Sequence, residues 1–596
     1  MSNDTPTQQY NPPNGVTLDT NIRPQDDFFQ FVNKSWLDAH PIPDSETRWG
    51  TFNVLRENSW NSMKAIYEEL QKKDVAGGSI QQIAKDFYYT GTHYDEFEAQ
   101  HISIITEYLD QIEMIHDASS LSRMIGQLHA ADIDCFWQTY VDSDHDDSTK
   151  HILYFLAQIS RPSADLRDVE KNYNKTTYAA LISDYNNIDW PEYAKALGWT
   201  ADDKISVRQP EFLAHVNGLF VDDQLSVIKQ YLKWMLLTQC LSKISPQFSQ
   251  IHFDFHGRVL SGTTEMMPLW KRVVLAAEYT IGDGTGQLYA EKHFPESSKE
   301  KVLKLVTDVQ SSFDTRIDSL DWMSDDTKSY AKQKLANMKV LIGYPDKWRD
   351  FSNLHVTRDS YLGNILSAQK HEVAYWMGRL HQPISRDDWY MTPQTVNAYH
   401  DPNRLVICFP AGILQAPFFD PNASYASNMG GIGTVIGHEL THGFDDQGCQ
   451  FDAEGNVRTW QSDEERAAFD KKAQLIVDQA DAFEVLPDLY LRGKLVLGES
   501  IADLGGIEIA LHSLKNQTPA ADLPSAISEF LINYAFTECS NVRPEKTREY
   551  TLSDPHPASE FRVNGILQHV DDFYSSFDIT TGDKLYTAPS ERARIW

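Results

Sequence analysis

The chain of 596 residues contains no run of about 18 consecutive apolar residues, which excludes a helix able to cross a bilayer and with it a membrane partner of that kind. Cysteine is sparse: Cys135, Cys240, Cys408, Cys449 and Cys539 are odd in number and show no close pairing. That pattern excludes a disulfide framework and predicts free thiols in a reducing compartment. Positive charge is also scarce, with 53 Lys and Arg against 85 Asp and Glu and a formal net charge of −32. Nucleic-acid binding rests on cationic contacts to phosphate, so no nucleic-acid partner is expected. The acidic balance serves solubility first and the steering of cationic peptides second. The opening MSNDTPTQQYNPPNG is polar and has no apolar centre, so it reads as a surface tail and not as a signal peptide. Internal repeats and low-complexity tracts are absent. These features together predict a cytoplasmic location, and none of them fixes an oligomeric state.

What is present is ordinary globular material, 41% hydrophobic and 23% charged, in a chain too long for one core, so two or more domains are expected. Apolar spacing predicts helices over 55–74, 81–100 and 225–240. The stretch 297–339 reads as two long helices broken near Trp322, with Ser324 as the cap of the second. Few strands are predicted beyond the β-rich run that ends at Phe409 and a second at 450–457.

The run VIGHELTHGFDD carries the strongest chemical signal. On a helix, residues four apart share a face, so His438 and His442 can turn both imidazoles to one metal ion. Glu439 beside the first histidine can reach a water on that metal, the H-E-x-x-H arrangement of zinc with a glutamate general base. A catalytic zinc takes three protein ligands, so a third must come from elsewhere. The segment LVLGESIADLGGIEIA has Ile501, Ala502, Leu504, Ile507 and Ile509 at the spacing of a buried helix start, with Glu499 and, one turn on, Asp503 sharing the other face. A carboxylate buried there needs a metal or a partner. Glu499 as third ligand meets that need, and Asp503 is spaced to accept the free N–H of a ligating histidine. Both acids also suit a helix N-terminus; it is the HELTH run upstream that favours the metal.

VNAYHDPNRLVICFPAGILQAPFFD from Val396, NMGGIGTVIGHELTHGFDDQG from Asn428, GESIADLGG from Gly498 and DPHPASEFRVNG from Asp554 stand in order along the chain. With DDFFQFVNKSWLDAHPIPDSETRWGTF near the start and IGYPDKW from Ile342, they resemble the neprilysin and endothelin-converting-enzyme zinc metallopeptidases, of the bacterial oligoendopeptidase O type. The resemblance implies a mainly α fold with a small β-sheet, a two-lobed zincin in which a thermolysin-like catalytic lobe and a helical lobe enclose a central cleft. It implies a catalytic domain made of 1–45 and 361–596, a helical lobe of 46–182 and 196–360, and a linker at 183–195. A lobe facing the cleft would admit peptides and exclude folded proteins.

The resemblance also assigns roles. One Zn2+ would be held by His438, His442 and Glu499, with its bound water activated by Glu439. Asp503 would support the first histidine or donate a proton, and His556, oriented by Asp554, would stabilise the oxyanion. Arg562 would grip a substrate carbonyl, Asn397 and Ala398 the peptide main chain, and Arg48 the free carboxylate of a short substrate. Ile413, Phe418 and Val435 would build an apolar pocket for the residue after the scissile bond. The run Asn403 to Phe409 would offer an edge strand to which a peptide adds through main-chain bonds. The expected function is zinc-dependent endopeptidase cleavage of oligopeptides on the N-terminal side of large hydrophobic residues.

Several positions depart from the family. His400 stands where a tyrosine is usual, Thr434 where methionine is common and Glu538 where an aromatic residue is frequent. Arg594 lies where secreted relatives carry a cysteine. A G-L-x-L-P stretch is missing after HILYFLAQIS, which implies a shortened helical lobe. A peptide-binding protein without catalysis is disfavoured because Glu439, His556 and the ligands are intact. An exopeptidase that uses Arg48 to trim C-terminal dipeptides stays open, and peptides with a blocked C-terminus separate it from an endopeptidase.

Overall fold

The computed structural model describes residues 13, 15–157, 169 and 171–596. Most of the polar N-terminal stretch, and the region where the shortened lobe is expected, lie outside the described residues. The described chain is predominantly helical, and it separates into two compact units. The first takes the residues up to Ser59, His293–Tyr344 and Gln394–Trp596; the second takes Trp60–Lys292 and Pro345–Pro393.

In the first unit, helix α1 (Phe28–Ala39) begins at Asp27, whose carboxylate accepts from the Gln30 N–H. That same oxygen accepts from Asn564, which in turn accepts from the Phe29 N–H, and Asn33 donates to the Ala535 carbonyl. Phe28 meets Phe573 and Phe577 edge-on, with centroids 5.0 and 4.5 Å apart. The start of the chain is thereby part of the same core as its far end. Strand β1 (Arg48–Gly50) follows. Next in this unit come helices α2 (Glu296–Asp318) and α3 (Asp325–Asn337), with Ser324 accepting from the Thr327 N–H as the predicted cap. Strands β2 (Lys339–Gly343), β3 (Tyr399–Asp401) and β4 (Val406–Pro410) form one sheet in the order β2-β4-β3. β2 runs parallel to β4, and β3 pairs antiparallel with it, Tyr399 opposite Cys408.

Helix α4 (Thr434–His442) carries the H-E-x-x-H run and packs most extensively on α6 (Gly493–Gln517), which also packs against α5 (Asp463–Asp481). α6 is buried nearly all round from Leu495 to Leu514, as a helix inside a domain is. Helix α7 (Leu523–Thr537) and strand β5 (Ser540–Val542) complete the part that matters for the site, and β5 pairs antiparallel with β1, Arg48 opposite Val542.

The second unit is built from long helices and a four-stranded sheet of 137–144, 147–157, 205–207 and 175–176 in that spatial order. Its core gathers Trp137, Phe155, Trp190 and Tyr193 around Leu121, Ile125 and Leu128.

Several expectations of border and element differ from the structure. The domain boundaries fall elsewhere: 293–344 belongs to the first unit because α2 packs on α6 and β2 pairs with β4. Residues 361–393 belong to the second, where Leu362, Leu366 and Met377 enter the core. The expected linker at 183–195 is not a linker, since helices Tyr178–Asp184 and Trp190–Leu197 occupy it and Trp190 and Tyr193 are fully buried. The stretch 450–457 makes only a single bridge, Phe451 to Val457, around a turn at Gly455. The predicted helix at 225–240 agrees in both bounds, while the one at 81–100 is interrupted by a tighter turn at Tyr94–Phe97.

Candidate metal centre and active site

α4 does not start abruptly. Ser424 caps a turn at Tyr425–Asn428, and a wider turn at Met429–Gly433 leads without a break into Thr434. Wide turns of this kind recur at functional sites because they re-aim the side chains that follow. Gly437 on α4 lies against Gly506 on α6: a Cβ on Gly437 would stand 2.8 Å from the Gly506 Cα, and one on Gly506 would stand 2.5 Å from the Thr434 carbonyl oxygen. Two helix backbones in direct contact bring Glu499, two turns before Gly506, onto the histidine face of α4.

The result is a convergent donor set. The ligand atoms of His438, His442 and Glu499 lie within 4.8 Å of one another. Glu499 Oε2 is 3.2 Å from His438 Nε2 and 3.6 Å from His442 Nε2. Two donors bound tetrahedrally to one ion at about 2.1 Å stand about 3.4 Å apart, so the spacing fits zinc. Glu499 Oε2 is buried and, among the described residues, accepts no hydrogen bond. Each imidazole is held through its other nitrogen: His438 Nδ1 is 2.9 Å from Asp503 Oδ1, and His442 Nδ1 is 2.8 Å from Asp445 Oδ2. Carboxylates at both Nδ1 atoms leave both Nε2 lone pairs free for a metal. Two nitrogens and one carboxylate oxygen suit zinc above harder cations.

Glu439 follows His438 on α4 and is 6% exposed. Burial raises its carboxyl above the ordinary range, against the opposing pull of His438 and His442. Asp503 is more buried still. Burial would raise it too, but Arg562, donating to both of its oxygens, and His438 hold it below the usual range. The same guanidinium reaches Glu538 Oε2 at 3.2 Å. Burial pushes Glu538 up while Arg562 pulls it down. The predicted departure at Glu538 is thus a second carboxylate on Arg562. His556 has its Nδ1 2.8 Å from Asp554 Oδ1 and its Nε2 3.6 Å from Glu499 Oε2. Asp554 also lies within the field of Arg48, whose guanidinium is 5.8 Å from the Tyr550 ring.

The substrate-binding candidates separate. Asn397 is exposed and Ala398 buried, immediately before β3. β3 is the edge of its sheet and packs on α4, whereas the run expected as an edge strand, 403–409, supplies the central and wholly buried β4. That part of the expectation is corrected: the apolar run is in the middle because both of its sides are paired. Ile413 and Phe418 are 1% and 0% exposed, and only Val435 of the three pocket candidates is half-buried. Phe52, which the sequence does not single out, stacks edge-on against Phe418 with centroids 4.6 Å apart. His400 lies on β3 with its ring near His442 and Lys334, and burial pushes it down to about 3. Thr434 turns its hydroxyl back to the Gly431 carbonyl at 2.7 Å. Asp445 is a functional residue outside the sequence-predicted set, although its place three residues after His442 in HGFDD puts it within one helical turn's reach of that ring.

The family model described as Peptidase family M13 matches residues 397–593, and a second with the same description matches 24–155 and 155–345. The chain is 27% identical over 667 residues to endothelin-converting enzyme 1 of Rattus norvegicus, an alignment that covers 97% of this chain and 86% of that protein. It is 26% identical over 679 residues to neprilysin-1 of Caenorhabditis elegans, covering 97% and 90%. Among solved structures, the Mycobacterium tuberculosis zinc metalloprotease Zmp1 in complex with an inhibitor superposes with a TM-score of 0.93 at 31% identity, over 98% of this chain and all of that one. PepO of Lactobacillus rhamnosis shares the fold, with a TM-score of 0.88 at 23% identity over 96% of this chain and all of that one. With matches over most of its length and a zinc-fitting donor set at its centre, the chain belongs to peptidase family M13 and is a neprilysin-like zinc metalloendopeptidase.

Proposed function

We propose that the protein cleaves oligopeptides internally, before large apolar residues, with Glu439 as general base. The observation that carries this reading is the buried Glu439 beside three convergent ligand atoms of His438, His442 and Glu499. His438, His442 and Glu499 would hold the zinc, which when bound would supply Lewis-acid polarisation and acidify water. Glu439 takes the proton from the attacking water and passes it to the leaving amine, a transfer favoured by the upward shift that burial gives its carboxyl. His556, fixed by Asp554, donates a hydrogen bond to the developing oxyanion. Asp503 has both oxygens occupied and is held ionised, which supports a positioning role for His438 in place of proton donation. Arg562 keeps N–H groups to spare beyond its two carboxylates and is the candidate for a substrate carbonyl.

The peptide main chain is expected to add to β3, an edge strand packed on the zinc helix and preceded by Asn397 and Ala398. Main-chain pairing tolerates many sequences, so selectivity is assigned to the half-buried Val435 together with the buried Phe418 and Ile413. Arg48, close to Asp554, is the candidate partner of a free C-terminal carboxylate. Among the described residues no helix is long and apolar enough to cross a membrane. Five unpaired, buried cysteines support a reducing, cytoplasmic compartment.

Mass spectrometry of a mixed peptide set, each peptide with a free and an amidated C-terminus, tests the reading. Internal cuts before Phe or Leu are expected in both forms, slower in the amidated form, and lost with chelator. Cleavage confined to free C-termini would make the protein an exopeptidase, and cuts before charged residues would remove the apolar-pocket assignment.

A further inference from the structure

Lys334 on α3 is wholly buried. No carboxylate forms an ion pair with it among the described residues; its Nζ donates to two main-chain carbonyls, Gly448 O and Phe451 O, each at 2.7 Å. Its stem and head lie beside the rings of Phe444 and Trp460, with Nζ 5.4 and 5.7 Å from their centroids. Burying an amine is costly, and a methionine of similar length would fill the same space without that cost. What the amine adds is its pair of hydrogen bonds to the loop that follows the zinc helix. Burial pushes Lys334 down to about 7, and both the ammonium and the neutral amine carry the two N–H groups these bonds require.

The loop leads straight to the metal site. The Gly448 N–H donates to Asp445 Oδ1 at 2.7 Å, the Gln447 N–H donates to the same oxygen at 2.8 Å, and Asp445 Oδ2 holds His442 Nδ1 at 2.8 Å. A continuous hydrogen-bonded chain therefore runs from Lys334 through Gly448 and Asp445 to the imidazole of His442. Asp445 sits on a short loop and has no helix of its own to fix it, so its aim depends on what pins 445–451.

We infer that Lys334 is a positioning residue for the metal centre, fixing Gly448 and through it the Asp445 carboxylate that orients His442. The inference rests on the reading that His442 holds zinc. Partners that orient a metal-bound histidine typically account for about 10- to 100-fold in metal affinity, and one link further out the effect falls near the lower end, about 10-fold.

The test is chelator competition for zinc on the full chain, comparing wild type, Lys334→Met, Lys334→Gln and Asp445→Asn, with the melting temperature of each metal-free form recorded alongside. Lys334→Met is expected to weaken zinc binding about 10-fold, and Lys334→Gln, which keeps an amide N–H donor on a shorter side chain, less. Because Lys334 acts through Asp445, adding Lys334→Met to Asp445→Asn should change affinity by under about 2-fold. Should Lys334→Met fail to fold, Lys334→Gln carries the same criterion. Zinc affinity within about 2-fold of wild type in the folded variants, whatever their melting temperature, would make Lys334 a stitch in the core and overturn the inference. Full additivity with Asp445→Asn would overturn it as well. A wild type that binds no zinc would instead bring down the metal assignment on which it stands.

Discussion

Arg562 meets two buried carboxylates with one guanidinium: Nε and Nη2 reach Asp503, and Nη1 reaches Glu538. Only the planar fork of arginine can serve both while keeping N–H groups over for a substrate. Arg562→Lys keeps the charge but loses the fork, so it is expected to lower kcat/KM for peptides at least about 10-fold and stability by about 1–3 kcal/mol. Steady-state kinetics and urea unfolding check this; an unchanged kcat/KM would remove Arg562 from the substrate-binding set. At this scale much was legible. His438, His442 and Glu499 follow from spacing and from the cost of a buried acid, and the structure brings them together. The Glu538 partnership was not legible, because an acid in an apolar run announces burial without naming its partner. Lys334 was silent for the same reason: its acceptors are main-chain carbonyls 114 and 117 residues away, and carbonyls leave no mark in a sequence.

At the scale of elements, the site depends on how closely α4 and α6 approach. The Gly437–Gly506 contact leaves no room for a methyl group. Gly506→Ala is expected to force the helices apart, destabilise the fold by about 1–3 kcal/mol and draw Glu499 away from the histidines. Zinc affinity should fall at least about 10-fold, measured by chelator competition; unaltered affinity would mean the helix approach does not set the donor geometry. The elements themselves were readable wherever local signals suffice. Ser324 caps α3 as its sequence predicts, since the hydroxyl and the Thr327 N–H are three residues apart. The hairpin 137–157 carries no comparable local signal, because its strands pair with each other and with 205–207 in ways a short periodic window does not record.

On the scale of the molecule, the chain leaves the first unit near Ser59, returns at His293 and returns again at Gln394. Such borders are set by long-range packing, which is why those implied by the family resemblance fall elsewhere. One buried carboxylate ties two of the first unit's segments together. Glu465 accepts from the Ser324 N–H at 2.7 Å, the Thr327 hydroxyl at 3.0 Å and its own cap residue Ser462 at 2.9 Å. Burial alone would raise its carboxyl, but these donors hold it at about 2. A carboxyl lower in the folded than in the unfolded chain stabilises the fold above its unfolded value, near 4.5, and that contribution fades as pH falls toward 2. The shift corresponds to at most about 3 kcal/mol. Urea unfolding of wild type and Glu465→Gln should therefore differ most at neutral pH and converge as pH falls from about 4.5 to about 2. A gap that stays constant with pH would contradict the linkage. All five cysteines are unpaired and at most 5% exposed. A thiol reagent should accordingly find few of them in the native protein and all five after denaturation; any fewer after denaturation would reveal a disulfide.

The central claim is that one zinc and the Glu439 carboxylate act together on a peptide bond. It is tested most directly by comparing turnover of an internally quenched peptide by wild type and by Glu439→Gln, each with its zinc content measured on the same sample. The account predicts near-stoichiometric zinc in both and a loss of at least about 1,000-fold in kcat in the variant. A variant that keeps its zinc and retains wild-type turnover would contradict it.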